Sequence, residues 1–336
     1  MRHAVLGARI LSISRIAVLP FLSALSDNTR GILAMLLSMA AFITNDALVK
    51  LVSAELPTGE IIAVRGLMAT ALIALIAWRA GAFSVSRLAL LKNRFVLQRT
   101  IGEIGATVFY LTALFQMPLA NATAILQSVP LMVTAGGALF LGEAVGWRRW
   151  SAIGIGFIGV LFIVQPGADG FNAASFLALA SCAFIVLRDL STRRLPKALP
   201  SLTVTTLTAS VMTLTGFAMG LGEDWKPISP QMLAVLAGAA CMLLIGYVFV
   251  MVAMRIGDLA AIAPFRYSVV IWSILFGFTL FGELPDGATL IGTAIVVATG
   301  IYTFLRERRL ARAGTHRDPV RGVGPVTQED RPPSRP

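Results

Sequence analysis

The chain has 336 residues, 57% of them hydrophobic and 13% charged, with a mean hydropathy of +0.80. A soluble domain carries about a quarter charged residues, so water is excluded as the main solvent. The net charge of +11 does not indicate nucleic acid, because much of it flanks the apolar runs: Arg2, Arg9, Arg15 and Arg30 precede the first, while Arg306, Arg308, Arg309, Arg312, Arg317 and Arg321 follow the last.

Residues 1–30 join a basic start to an apolar stretch, 16–25, that is too short to span a bilayer and is broken by Pro20. This segment is read as cytoplasmic or interfacial; a signal peptide and a start codon placed too early are the alternatives. Apolar runs then predict transmembrane helices over about residues 31–52, 59–79, 95–116, 120–141 and 149–165. Five more are predicted over about 172–190, 201–222, 231–254, 258–281 and 286–305. Residues 306–336, basic and rich in Pro and Gly, are expected to be a disordered tail. The expected fold is therefore all-α and membrane-integral, and its even number of spans returns both ends of the chain to one side.

Lys and Arg in short loops are retained in the cytoplasm. Arg79, Arg87, Lys92 and Arg94 follow span two, Arg148 and Arg149 follow span four, Arg193, Arg194 and Lys197 follow span six, and Arg255 ends span eight. The opposite loops carry Glu55, Asp169, Glu223, Asp224 and Asp286, with Lys226 as the clear basic residue. Both termini are thus expected in the cytoplasm of a cell whose inner membrane holds the chain.

The second half repeats the first. A shift of 140 places Phe109 on Phe249, Ala113 on Ala253, Gly137 on Gly277, Gly142 on Gly282 and Glu143 on Glu283. A shift of 143 places Ser38 on Ser181, Asp46 on Asp189, Lys50 on Arg193 and Pro57 on Pro200. Five spans is an odd number, so equivalent helices cross in opposite directions and the repeat is inverted. Two inverted bundles have alternative packings around a site near mid-depth, which is the geometry of a transporter.

On these residues the chain resembles the drug/metabolite transporter superfamily, in its ten-helix EamA type, over about residues 30–308. The "LGE" and "FGE" strings at 141–143 and 281–283 carry much of the likeness. It is most similar to the S-adenosylmethionine uptake subgroup through "ND" at 45–46 with Lys50, Glu60 with Arg65, "APFRYS" at 263–268 and "FGELPD" at 281–286. The resemblance implies ten transmembrane helices in two inverted five-helix EamA repeats, 31–165 and 172–305, and transport of a small polar metabolite by alternating access. Riboflavin, amino acids and other metabolites remain alternative cargoes, and export an alternative direction.

Ionisable residues inside a membrane need a partner or a wet cavity. Asn45 and Asp46 are candidates for lining that cavity, with an i,i+4 pair between Asp46 and a snorkelling Lys50 as the structural alternative. Arg65 is expected to make an ion pair between spans or to touch cargo, and Glu103, with Tyr110 on roughly its face, to bind a cation or couple a proton. Gln127 and Ser128 near Pro130, and Arg266, Tyr267 and Ser268 after Pro264, occupy corresponding proline-linked places in the two halves. Arg266 suits a carboxylate or phosphate, while Tyr267 and Trp272 suit an aromatic ring or an interfacial anchor. Glu143 and Glu283 are read as structural, and Arg188 and Asp189 as snorkelling. Gly154, Gly156 and Gly159 fit either tight packing of span five or a homodimer.

His3 and His316 lie in the tails, and Cys182 and Cys241 fall within apolar runs as packing residues. No metal, cofactor or catalytic residue is expected. An intramembrane enzyme on a lipid-linked substrate, the second function weighed, lacks a His-Glu-x-x-His, Gly-x-Ser-x-Gly or P-loop string. The expected partners are the bilayer and a small metabolite.

Overall fold

Within a bilayer an apolar segment finds no water for its backbone, so it satisfies its N–H and C=O groups internally as a helix. A computed structural model describes residues 25–79, 81, 93–143, 145–166, 173–195, 201–256 and 258–315. Among them the first half forms α1 Asp27–Val52, α2 Thr58–Arg79, α3 Arg94–Leu114, a broken α4 (α4a Leu119–Leu126, α4b Val129–Leu141) and α5 Trp147–Val164. The second half forms α6 Ala173–Arg193, α7 Ser201–Gly220, α8 Pro230–Ile256, a broken α9 (α9a Leu259–Ile262, α9b Ser268–Phe281) and α10 Gly287–Thr315. A 3-10 turn, Ala263–Tyr267, joins α9a to α9b.

Nine of these helices are apolar enough over a sufficient length to cross a membrane. The tenth, α3, is 21 residues long, and its hydropathy is lowered by Arg94, Gln98, Arg99 and Glu103, several of which prove to line the polar centre. Helix boundaries lie close to those expected, except that α10 continues to Thr315, so residues 306–315 are helical rather than the start of a tail. The readings of residues 1–24, of Arg87, Lys92, Asp169 and Lys197, and of the tail from 316 lie outside the described residues.

The repeat is visible in the packing. Along their lengths α1 packs on α8 and α6 on α3, one contact made twice, because α6 is the counterpart of α1 and α3 that of α8. The other two long contacts, α2 with α7 and α5 with α10, each pair a helix with its own counterpart. Buried hydroxyls reinforce the match: Ser38 donates to the carbonyl of Gly246 at 2.7 Å, and Ser181 to that of Ala106 at 3.0 Å. Bonds of this kind count inside a membrane, where lipid offers the hydroxyl no partner.

The repeated Gly-Glu ends have a backbone cause. Gly142 and Gly282 take φ of 69° and 66°, a left-handed turn that only glycine adopts freely. That turn lets the Glu143 N–H reach back to Gly137 at 3.2 Å and the Glu283 N–H to Gly277 at 2.9 Å, satisfying carbonyls that the helix end would leave open. In α5, Gly159 lies against Gly292 and Val296 of α10, and Gly156 against Leu131 and Thr299. Gly156 and Gly159 therefore serve packing within the bundle, while Gly154 faces open space.

Candidate functional site

Four side chains from three helices form one hydrogen-bonded group. Asp46, on α1, accepts from the Tyr110 hydroxyl of α3 at 2.7 Å and from the Asn45 amide at 2.8 Å. Arg65, on α2, donates to the Asn45 Oδ1 at 3.0 Å and lies within electrostatic reach of Asp46. Asn45 and Arg65 are 3% and 9% exposed, so the guanidinium has been taken from water and depends on these partners. At 1.5 Å per residue, Arg65 sits about 10 Å below the start of α2, inside the hydrocarbon thickness. Thr123 of α4a lies beside Tyr110 and adds a fourth helix to the wall.

A second group occupies the other half of the depth. Arg188 of α6 bonds Asp189 at 2.9 Å and approaches Glu103 of α3 at 3.5 Å. Nearby, Arg99 donates to the Thr208 hydroxyl at 2.8 Å. Tyr247 of α8 lies within electrostatic reach of Glu103, Arg188, Arg99 and Arg65, and so connects the two groups. Its ring meets Phe42 of α1 edge-on at 5.3 Å. Together these groups hold three guanidinium and three carboxylate side chains, a formally neutral set of separated charges.

Several expectations are corrected here. Asp46 and Lys50 do not pair: Lys50 is drawn across the bundle to Glu283, with Nζ at 2.8 and 3.0 Å from the carboxylate oxygens, and also donates to the Met117 carbonyl at 2.7 Å. Its side chain is 10% exposed and bonded within the protein, so it does not snorkel. Arg188 and Asp189, also read as snorkelling, bond each other at 2.9 Å, and Arg188 approaches Glu103 at 3.5 Å. Glu103, expected to bind a cation or couple a proton, faces Arg188. Glu143 and Glu283, read as structural, each meet a basic group: Arg193 lies 2.8 Å from Glu143 and Lys50 2.8 Å from Glu283.

The two helix breaks fall where the repeat places them, at Gln127–Ser128 and at Ala263–Tyr267. Their side chains, however, do not join the Asp46 group. Gln127 bonds back to the Thr123 carbonyl at 3.1 Å, and Ser128 faces Cys182 at 3.8 Å. The Tyr267 hydroxyl lies against Gly300 of α10. Arg266 is exposed and has no hydrogen-bond or ion-pair partner among the described residues. Ser268 Oγ and the Trp272 indole N–H are buried without a partner, and Trp272 packs beside Phe276 with centroids 6.5 Å apart. Sequence reasoning passed over Tyr247 and Arg99. A lone polar residue inside a long apolar helix was the available signal for Tyr247, whereas Arg99 stands beside Gln98 in α3, which is not among the nine helices apolar enough to cross.

Fold and site define a polytopic helical protein with two inverted halves around a charged centre. The profile of the EamA-like transporter family matches residues 29–165 and again 172–305, and the chain belongs to that family. It is similar to a riboflavin transporter of Vibrio cholerae, 29% identical over 220 residues covering 65% of this chain and 73% of that one. An S-adenosylmethionine uptake transporter of Rickettsia conorii is 27% identical over 195 residues, 57% of this chain and 65% of the relative. The pseudopaline exporter CntI of Pseudomonas aeruginosa is 26% identical over 274 residues, 81% and 94% of the two chains. A crystal structure that is 19% identical superimposes with a TM-score of 0.57 over 82% of this chain and 98% of its own, and shares the fold. The chain is a multi-pass membrane protein of a transporter family, and its relatives carry metabolites.

Proposed function

We propose that the chain is an inner-membrane secondary carrier that moves a small zwitterionic metabolite by alternating access, with S-adenosylmethionine as the leading cargo. The observation that supports this is the neutral, charge-separated centre: Asp46 and Glu103 on one side of the balance, Arg65 and Arg188 on the other. A zwitterion adds no net charge to such a site, and its carboxylate and cationic ends can each replace an internal partner, so that little desolvation is left uncompensated. S-adenosylmethionine has a carboxylate for Arg65 or Arg188, an ammonium and a sulfonium for Asp46 or Glu103, and a ring that suits Tyr247 and Phe42. Loop charges support cytoplasmic termini: Arg148, Arg149 and Arg255 fall at one end of the bundle, and Glu55, Asp224 and Asp286 at the other.

The relatives include a riboflavin transporter and an exporter as well as an uptake carrier, so the test compares cargoes and directions. Purified protein in proteoliposomes is loaded from either side with labelled S-adenosylmethionine, riboflavin or amino acids, with and without a proton gradient. Saturable S-adenosylmethionine flux that Asp46→Asn and Arg65→Gln each abolish is the expected result. Flux of riboflavin alone replaces the cargo, and a folded protein that moves none of the panel in either direction sinks the carrier reading.

A further inference from the structure

The charges at the two ends of the bundle form a symmetric set that the central site does not use. Lys50 ends α1 and Glu283 follows α9b; their counterparts under the repeat are Arg193, which ends α6, and Glu143, which follows α4b. Each half therefore supplies one cation and one carboxylate, and each pair joins the two halves, Lys50 to Glu283 at one end and Arg193 to Glu143 at the other. An ion pair within one half would be unaffected by motion between the halves, whereas each of these joins a residue of one half to a residue of the other.

Both pairs are made at 2.8 Å, but they are not equally shielded. At the Lys50 end Glu283 also accepts the Leu119 N–H at 3.0 Å, at the start of α4a, and Lys50 also holds the Met117 carbonyl, so three segments are tied at one point. The Lys50 and Glu283 side chains are 10% and 27% exposed; those of Arg193 and Glu143 are 46% and 40% exposed. Packing follows the same asymmetry. Here α9b packs on α1 and on α4a, whereas α4b packs on α6 but has no comparable contact with α9a among the described residues. Both ends are paired, and the Lys50 end is the more shielded and the more extensively bonded.

Resting on the carrier reading, we infer that Lys50–Glu283 and Glu143–Arg193 are latches at the two ends of the substrate pathway, each of which must part for its end to open; both are made at 2.8 Å in this structure, and the Lys50 latch is the more shielded. The four residues act as positioning residues for the conformational exchange and do not contact cargo. Because the repeat makes the two closed arrangements near equivalents, removing charge from one latch shifts the balance toward the state that the other latch holds.

The test uses the full chain with Cys182→Ala and Cys241→Ala and one of two reporter cysteines. Thr123→Cys lies below the Lys50 latch and is 3% exposed, while Ala263→Cys is its repeat counterpart toward the other end. A membrane-impermeant methanethiosulfonate is applied to each face of sealed vesicles, and labelling rates are compared with and without Glu283→Gln, which keeps the size and an acceptor for Leu119 but loses the charge. Labelling at 123 is expected to rise at least about tenfold, the factor equivalent to about 1.4 kcal/mol, while labelling at 263 falls. Lys50→Met should reproduce the reciprocal change, and the swap Lys50→Glu with Glu283→Lys should reverse it. A merely structural bond would raise both rates as the protein loosens. If both rise together, or neither changes in protein that remains folded by size-exclusion chromatography, the latch inference is overturned. Labelling needs no cargo, so the readouts are separable: reciprocal shifts without transport sink the carrier reading, and transport without reciprocal shifts sinks the latches.

Discussion

Replacing Tyr110 by Phe removes one hydroxyl from the centre and leaves its ring in place. The lost bond is a 2.7 Å contact to the Asp46 carboxylate. Bonds to charged groups contribute about 1.5–3 kcal/mol in soluble proteins, but hydrogen bonds between membrane helices average about 0.6 and reach about 1.7 kcal/mol. Asp46 retains its Asn45 bond at 2.8 Å, so the loss is partial and the expected cost is about 1 kcal/mol. Asp46→Ala should cost more, about 3 kcal/mol, because it leaves the Arg65 guanidinium buried with Asn45 as its remaining hydrogen-bond partner. In that background Tyr110→Phe has little left to lose. Unfolding free energies of the four cycle members, measured by denaturant titration in mixed micelles, should give a coupling of about 1 kcal/mol. Equal costs of Tyr110→Phe with and without Asp46, within about 0.3 kcal/mol, would refute the assignment of Tyr110 as the clamp on Asp46.

Two further outcomes can be checked on the same preparations. Ser38→Ala and Ser181→Ala remove counterpart bonds of 2.7 and 3.0 Å, and each should cost about 0.6 kcal/mol, whereas an effect confined to one site would show that the two halves are held by different forces. Asp286, in the exposed loop before α10, accepts from Thr289 and Gln165, and these bonds hold its carboxyl below the usual value of 3.8. A depressed folded value means that the carboxylate stabilises the fold at neutral pH and loses that contribution as pH falls below about 4 toward the folded value. Asp286→Ala should lower thermal stability at pH 7 through loss of a helix cap, worth about 1 kcal/mol, and the gap to the unmodified chain should narrow as pH falls below the usual carboxylate value; a gap unchanged as the carboxylate is protonated would exclude the cap.

The membrane fold was legible in the chain because its cause is local. Twenty apolar residues have one outcome in lipid, and the helix limits, α10 apart, lie near the ends of the apolar runs. Inversion followed from counting, since five spans reverse direction whatever they pack against, and Gly142 and Gly282 could be paired by register before their left-handed turns were known. Partners were a different matter. Sequence neighbours invited an Asp46–Lys50 pair one helical turn apart, yet the crossing of α9b over α1 brings Glu283 to Lys50 instead, and α3 supplies Tyr110 to Asp46. Arg188 and Asp189 likewise looked destined for the headgroups until α3 brought Glu103 beside them.

What the sequence determined by itself was how many times the chain crosses lipid and which parts repeat, because hydropathy and register are properties of a single strand of residues. Only the tertiary structure decided which charge answers which. An ion pair requires approach within a few ångströms, and in a bundle that approach is governed by crossings between helices far apart in the chain.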